Sequence, residues 1–177
     1  MFEKISLLDL DLKDALDLAI LVEIEAQERY EEFSRQIGTT SSDDAGAFFI
    51  QMALNESKHA ADLKAKRLEL FGNAPTRMSA EKLYEYQELE APSFDRAESF
   101  MSAKKALLVA LESEIKAYDF FTKAEKMVTD PAVKALFKEL KEEELQHQML
   151  VKDIINTTGG DESPLVDPND VEEPSGL

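Results

Sequence analysis

The chain contains no cysteine and no tryptophan, only six glycines and six prolines in 177 residues, and 20 basic side chains against 37 acidic ones. Without cysteine there can be no disulfide framework, no thiolate catalysis, no zinc ribbon and no iron–sulfur or rubredoxin-type centre. The shortage of base leaves a formal net charge of −17, which repels nucleic acid and anionic membrane surfaces alike, so neither is expected as a partner. Apolar runs are short. Stretches such as Ala19 to Val22 fall far short of the ~20 residues a membrane-spanning helix needs. The start, Met1-Phe2-Glu3-Lys4, has neither the basic region nor the long apolar region of an export signal, so a cytoplasmic protein is the expectation. At about 100–200 residues per domain, the length accommodates one.

The sparse glycine and proline divide what is there. Gly38 closes a first long periodic segment, and the polar stretch Thr39 to Asp44 follows. A second segment runs from about Ala45 to Phe71 and stops at Gly72, a residue suited to the left-handed position after a helix. A third covers about Arg96 to Val128. Asp130-Pro131 then supplies an N-cap and a first-turn proline to a fourth, which ends before Gly159-Gly160. All four are rich in Ala, Leu, Glu and Lys, with apolar residues at three- and four-residue spacing, the pattern of amphipathic helices. Short links make the first and second helices, and the third and fourth, antiparallel hairpins. The link from Asn73 to Asp95, with a short helix expected over Ala80 to Leu89, is long enough to cross the bundle and let the second and third helices run parallel. Two hairpins joined by one long crossover form an all-α, ferritin-like four-helix bundle, expected over residues 1–159. Residues 160–177 hold six acids, no bases and three prolines, the composition of a disordered acidic tail.

The hairpins look like copies of one another. Ala19 to Tyr30 aligns without gaps on Ala110 to Phe121, matching Glu23 with Glu114, Ala26 with Ala117 and Tyr30 with Phe121. Phe49 precedes Glu56-Ser57-Lys58-His59 by the same seven residues that separate Phe137 from Glu144-Leu145-Gln146-His147. The chain's two histidines thus each follow a glutamate by three positions, which puts each pair on one helix face.

These glutamates and histidines lie on the apolar seams. The four seams read Leu16, Ala19, Glu23, Ala26, Tyr30, Phe33, Ile37; Phe49, Met52, Glu56, His59, Leu63, Lys66, Leu70; Leu107, Ala110, Glu114, Ala117, Phe121, Ala124, Val128; and Val133, Phe137, Leu140, Glu144, His147, Val151, Ile154. Uncompensated carboxylates in a core would take up protons or unfold the protein. Two divalent metals balance four carboxylates when the imidazoles are neutral, and mixed carboxylate–imidazole ligation suits iron or manganese. Ala26 and Ala117, one turn beyond Glu23 and Glu114, leave room beside such metals. Tyr30 reads two ways, as a hydrogen-bond donor or redox neighbour behind the ligands, or as an ordinary core tyrosine. Asn55 and Glu143, each just before a seam glutamate, are candidates for orienting a histidine, with helix-surface solvation the competing reading for Glu143. Glu25 and Glu112, two positions off the seam, are expected to face solvent, a shift of helix register being the alternative that would make them ligands.

Over about residues 12 to 157 the sequence resembles the rubrerythrin-like branch of the ferritin-like superfamily. The resemblance rests on Glu23 with Tyr30 seven residues later, Glu56-x-x-His59, Glu114 with an aromatic seven later, and Glu144-x-x-His147. It implies a di-iron centre, with a manganese–iron pair as a variant. Glu56 and Glu144 would be bridging carboxylates, Glu23 and Glu114 terminal ones, and His59 and His147 one ligand per metal. Relatives of this kind reduce hydrogen peroxide or dioxygen, or oxidise Fe(II) for storage. The chain departs from rubrerythrins proper in having Ala117 where they carry an additional glutamate. It also lacks the cysteine-ligated rubredoxin domain, so its electrons would come from a separate donor protein.

Three functions follow from this reading. One is a non-haem di-iron oxidoreductase using peroxide or dioxygen. Another is a ferroxidase for iron storage or detoxification. The third is a metal-free helical interaction module, whose glutamates and histidines would form buried ion pairs. The seams already fill one bundle, so a homodimer or higher oligomer would have to use outer faces.

Overall fold

The computed structural model describes residues 7–37, 45–80 and 103–157. A single 3-10 turn, Leu7–Asp9, precedes four helices: α1 (Leu12–Ile37), α2 (Ala45–Phe71), α3 (Ala103–Met127) and α4 (Pro131–Thr157). No strand occurs among the described residues, and no helix among them is long and apolar enough to cross a membrane. The helix ends follow local chemistry. Asp11 caps α1, its Oδ1 accepting the Asp14 N–H at 2.8 Å. Asp130 caps α4, accepting the Ala132 and Val133 N–H groups at 2.7 and 3.3 Å, and Pro131 fills the first position, where no N–H is needed. Gly72 ends α2 with φ of 53°, a conformation that disfavours any residue with a Cβ.

Side-chain ties set the directions of the helices. Arg67 near the end of α2 binds Asp17 near the start of α1, Nε to Oδ1 at 2.8 Å, so those helices are antiparallel. Glu125 late in α3 binds Lys141 early in α4, which makes the second hairpin antiparallel too. One apolar cluster gathers Leu16 and Ala19 with Phe121, Ala124, Val133 and Phe137. The other gathers Tyr30 and Phe33 with Phe49, Met52, Ala106, Leu107 and Val151. Both α2 and α3 therefore begin at the second cluster and run parallel, as the ferritin-like arrangement requires. Most of the expected crossover, including nearly all of Ala80 to Leu89, lies outside the described residues, as does the expected tail over 160–177.

The seams hold along α1, α3 and α4, where every named position is buried or half-buried. On α2 the seam leaves the core after Leu63: Lys66 and Leu70 are exposed, while Phe71 packs on the first cluster and Arg67 reaches Asp17. A strict alternation of three and four averages 3.5 residues per turn and slips about 20° per heptad against a straight helix. Over three heptads that slip carries the inner face to Leu63, Arg67 and Phe71. Asp14 was not foreseen in the core. It is fully buried because Arg77, from the segment after α2, forms a two-point ion pair with it.

The two clusters are apolar plugs at either end of a polar middle, and their largest side chains have no exposure to lose. Phe137 packs against Phe121 with the rings tilted by 40° and their centroids 5.8 Å apart. The Phe137→Ala variant is expected to lose about 3–5 kcal/mol of unfolding free energy, measured by urea denaturation.

Candidate metal centre

Between the plugs, each helix brings acid or imidazole to the axis. Glu23 comes from α1, Glu56 and His59 from α2, Glu114 from α3, and Glu144 and His147 from α4. All are buried except His59, which is half-buried. In both Glu-x-x-His pairs the three-residue spacing puts carboxylate and imidazole on the same inward face.

The six side chains converge on two adjoining positions. His59 Nδ1 lies 3.6 Å from both Glu23 Oε2 and Glu56 Oε2. His147 Nδ1 lies 3.2 Å from Glu56 Oε1, 3.4 Å from Glu114 Oε2 and 3.8 Å from Glu144 Oε2. The imidazole rings stack almost parallel, at 6°, with centroids 5.4 Å apart. Glu56 therefore addresses both positions, one oxygen to each imidazole, whereas Glu144 groups with Glu114 and His147. Three sets of donor atoms each fall within 4.8 Å of one another: Glu56, His59, His147; Glu114, Glu144, His147; and Glu23, His59, Glu143. Glu56 Oε1 and His59 Nδ1 are buried without a hydrogen-bond partner among the described residues. Buried polar atoms are rarely left so, and a cation between them would satisfy both, so the donors fit a metal pair.

Electrostatics point the same way. The carboxylates of Glu23 and then Glu56 raise the His59 pKa to about 10. Burial opposes protonation of His147, but Glu114, Glu144 and Glu56 outweigh it and raise that imidazole to about 11. Burial raises Glu56 to about 8; burial and the neighbouring Glu114 charge push Glu144 well up. Glu114 is the counterweight. Burial alone would raise it, yet His147, Glu144 and the Tyr30 hydroxyl hold it below its ordinary value. The raised values of the two imidazoles and of Glu56 and Glu144 all favour protons at the places where cations would stand.

Tyr30 is fully buried and its hydroxyl donates to Glu114 Oε1, while its counterpart Phe121 packs in the opposite plug. Burial, followed by the charges of Glu114 and Glu56, raises the phenol well above its usual range, so it stays a donor. Asn55 does not reach a histidine; its Oδ1 accepts from Gln51 on the helix surface at 3.1 Å. Glu112 is exposed and pairs with Lys116 at 2.9 Å. Glu25 is more enclosed than expected because Arg29, one turn on, lies over it at 3.2 Å. Glu143 joins the His59 group instead of a purely solvated surface. Gln148 carried no periodic signal, yet it is buried beside His147 and donates to the Glu114 carbonyl oxygen at 3.3 Å, pinning α4 to α3 at the centre.

Residues 14–155 match the rubrerythrin family. The chain belongs to that family. Its fold is also similar to the 2.00 Å crystal structure of an uncharacterized conserved protein from Magnetospirillum magnetotacticum MS-1. The two share 24% identity, with a TM-score of 0.69, over 85% of this chain and 97% of that one. No curated protein matches the chain. Within the matched region, the structure brings together Glu and His groups that could hold a metal ion.

Two measurements test this electrostatic account. Since cations must displace protons from the site, loading divalent ions at neutral pH is expected to release protons, read by calorimetry in buffers of different ionisation enthalpy. The raised pKa values fix the sign: affinity strengthens as pH rises from 7 and weakens as it falls. Separately, Tyr30→Phe removes the donor to a buried carboxylate and is expected to cost the metal-free protein about 1.5–3 kcal/mol in urea unfolding.

Proposed function

We propose that this rubrerythrin-family chain is a non-haem di-iron carboxylate oxidoreductase, reducing hydrogen peroxide or dioxygen and drawing electrons from a separate donor protein. Two bound iron ions, or a manganese–iron pair, would supply the reducing electrons and an open coordination position for the oxidant. The observation that carries this reading is the division of Glu56 between the two imidazoles, Oε1 at 3.2 Å from His147 and Oε2 at 3.6 Å from His59. A carboxylate so placed would have one oxygen to offer each of two cations.

The other residues have distinct work. Glu23 with His59, and Glu114 with His147, close the two positions from opposite sides of the bundle. Glu144 would add a second carboxylate at the His147 position, where it groups with Glu114 and His147, so the bridging role that the resemblance gives it falls to Glu56 alone in this arrangement. Tyr30 keeps the Glu114 carboxylate oriented through its O–H. The apolar clusters close the site at both ends of the bundle. No cysteine among these 177 residues is available to hold an iron–sulfur or rubredoxin-type relay.

Ferroxidase activity for iron storage or detoxification is the second reading. It is favoured by an acidic groove between α2 and α4, where Asp62, Glu139 and Glu143 line a cavity of about 170 Å³ ending at His59. In either case we place the protein in the cytoplasm as a homodimer or higher oligomer. Exposed Leu108 and Ile115 on α3, and Leu145 and Met149 on α4, offer apolar outer surface for assembly.

The test begins with metal-free protein titrated anaerobically with Fe(II), then mixed rapidly with peroxide or dioxygen. Binding of about two ions per chain is expected, falling in Glu56→Ala. Faster oxidation by peroxide identifies the oxidoreductase; dioxygen-driven turnover that accumulates ferric mineral identifies the ferroxidase. A wild-type chain that binds no Fe(II) refutes both and leaves the helical interaction module.

A further inference from the structure

The two metal positions are not equivalent. The His147 position is sealed: Glu114, Glu144 and His147 are all buried, and Gln148 closes its α3 side. The His59 position opens outward, with a quarter of the imidazole side chain exposed. It lies at the inner end of the α2–α4 cavity lined by His59, Asp62, Lys66, Glu139 and Glu143. The position also has fewer donors from the expected set, with Glu23 on one side, Glu56 shared with His147, and one imidazole.

Glu143 supplies what is missing there. It is half-buried on α4, facing α2, and a carboxylate oxygen falls within 4.8 Å of donor atoms of both Glu23 and His59. Glu143 makes no hydrogen bond or ion pair with any described residue, unlike its groove neighbour Glu139, whose carboxylate lies 3.6 Å from Lys66 Nζ. His59 Nδ1, on the other side of the gap, also lacks a hydrogen-bond partner among the described residues. A partly enclosed carboxylate with no hydrogen bond or ion pair, beside an imidazole nitrogen that faces two carboxylates without hydrogen-bonding either, is suited to a cation.

We propose that Glu143 is a seventh ligand of the centre: it receives a divalent cation from the α2–α4 groove and completes the Glu23–His59 position from its open side. This rests on the di-metal reading above. It makes the His59 position the one that fills and empties through the groove, and the His147 position the enclosed one.

The test is a Co(II) titration of the metal-free, full-length protein, followed by calorimetry and by visible absorption, which reports cobalt's coordination. Wild type is compared with Glu143→Gln and with Glu139→Gln, a groove variant outside the ligand cluster. Glu143→Gln is expected to weaken one of the two binding events by about ten- to hundredfold, to change the absorption of that site alone, and to spare the other. Glu139→Gln is expected to leave both events near wild type. The Glu143→Gln thermal midpoint without metal is expected to equal or exceed that of wild type, since no partner is lost. Unchanged affinities and spectrum in Glu143→Gln would overturn the proposal while leaving the di-metal reading intact. So would an equal weakening of both events in the two variants, which would mark a general field effect and not ligation. A wild-type protein that binds no Co(II) would overturn both.

Discussion

Carboxylates facing imidazoles at the centre of a helical core are the interaction on which this molecule turns. Ionised groups removed from water need compensation at short range. Here each histidine supplies it from a neighbouring helix: His147 from α4 to Glu56 on α2 and Glu114 on α3, and His59 from α2 to Glu23 on α1. The bundle is therefore knit through its polar middle as well as its apolar ends.

The apolar ends make the polar middle tolerable. Phe121 and Phe137 in one cluster, and Tyr30, Phe33 and Phe49 in the other, confine the donors to the middle turns of the helices. Tyr30 belongs to both worlds: its ring packs on Phe49 with centroids 5.9 Å apart, and its hydroxyl reaches Glu114. Outside the plugs, Arg67 and Arg77 clasp Asp17 and Asp14 and fasten the chain leaving α2 to the start of α1. That clasp neutralises acids which would otherwise be stranded beside the first cluster.

The internal duplication gives the site its pairs but not its symmetry. Glu23 and Glu114 occupy equivalent places, as do Glu56-x-x-His59 and Glu144-x-x-His147. Yet His147 is enclosed while His59 borders a groove. The difference arises where the repeats diverge. Phe121 replaces the hydroxyl of Tyr30, and Gln148 and Glu143 close one side of the centre and line the other.

Much of this was legible in the chain. Helix ends follow from local groups such as Asp130, Pro131 and Gly72, whose effects act within a turn. Glutamates and histidines on an apolar stripe follow from a period of three and four, and their duplication from direct alignment. The drift of α2 to Arg67 and Phe71 was less legible, because a seam extrapolated at 3.5 residues slowly leaves a helix of 3.6. By itself, then, the sequence determined which elements form, where they stop and which stripe carries the donors, since those depend on neighbours along the chain. Only the tertiary structure decided that Glu56 divides its oxygens between two imidazoles, that Gln148 reaches the Glu114 carbonyl and that Glu143 joins His59. It also decided that Arg77 rescues Asp14. Those contacts depend on the rotation and spacing of helices packed against one another, and no periodicity within one helix encodes the angle at which its neighbour arrives.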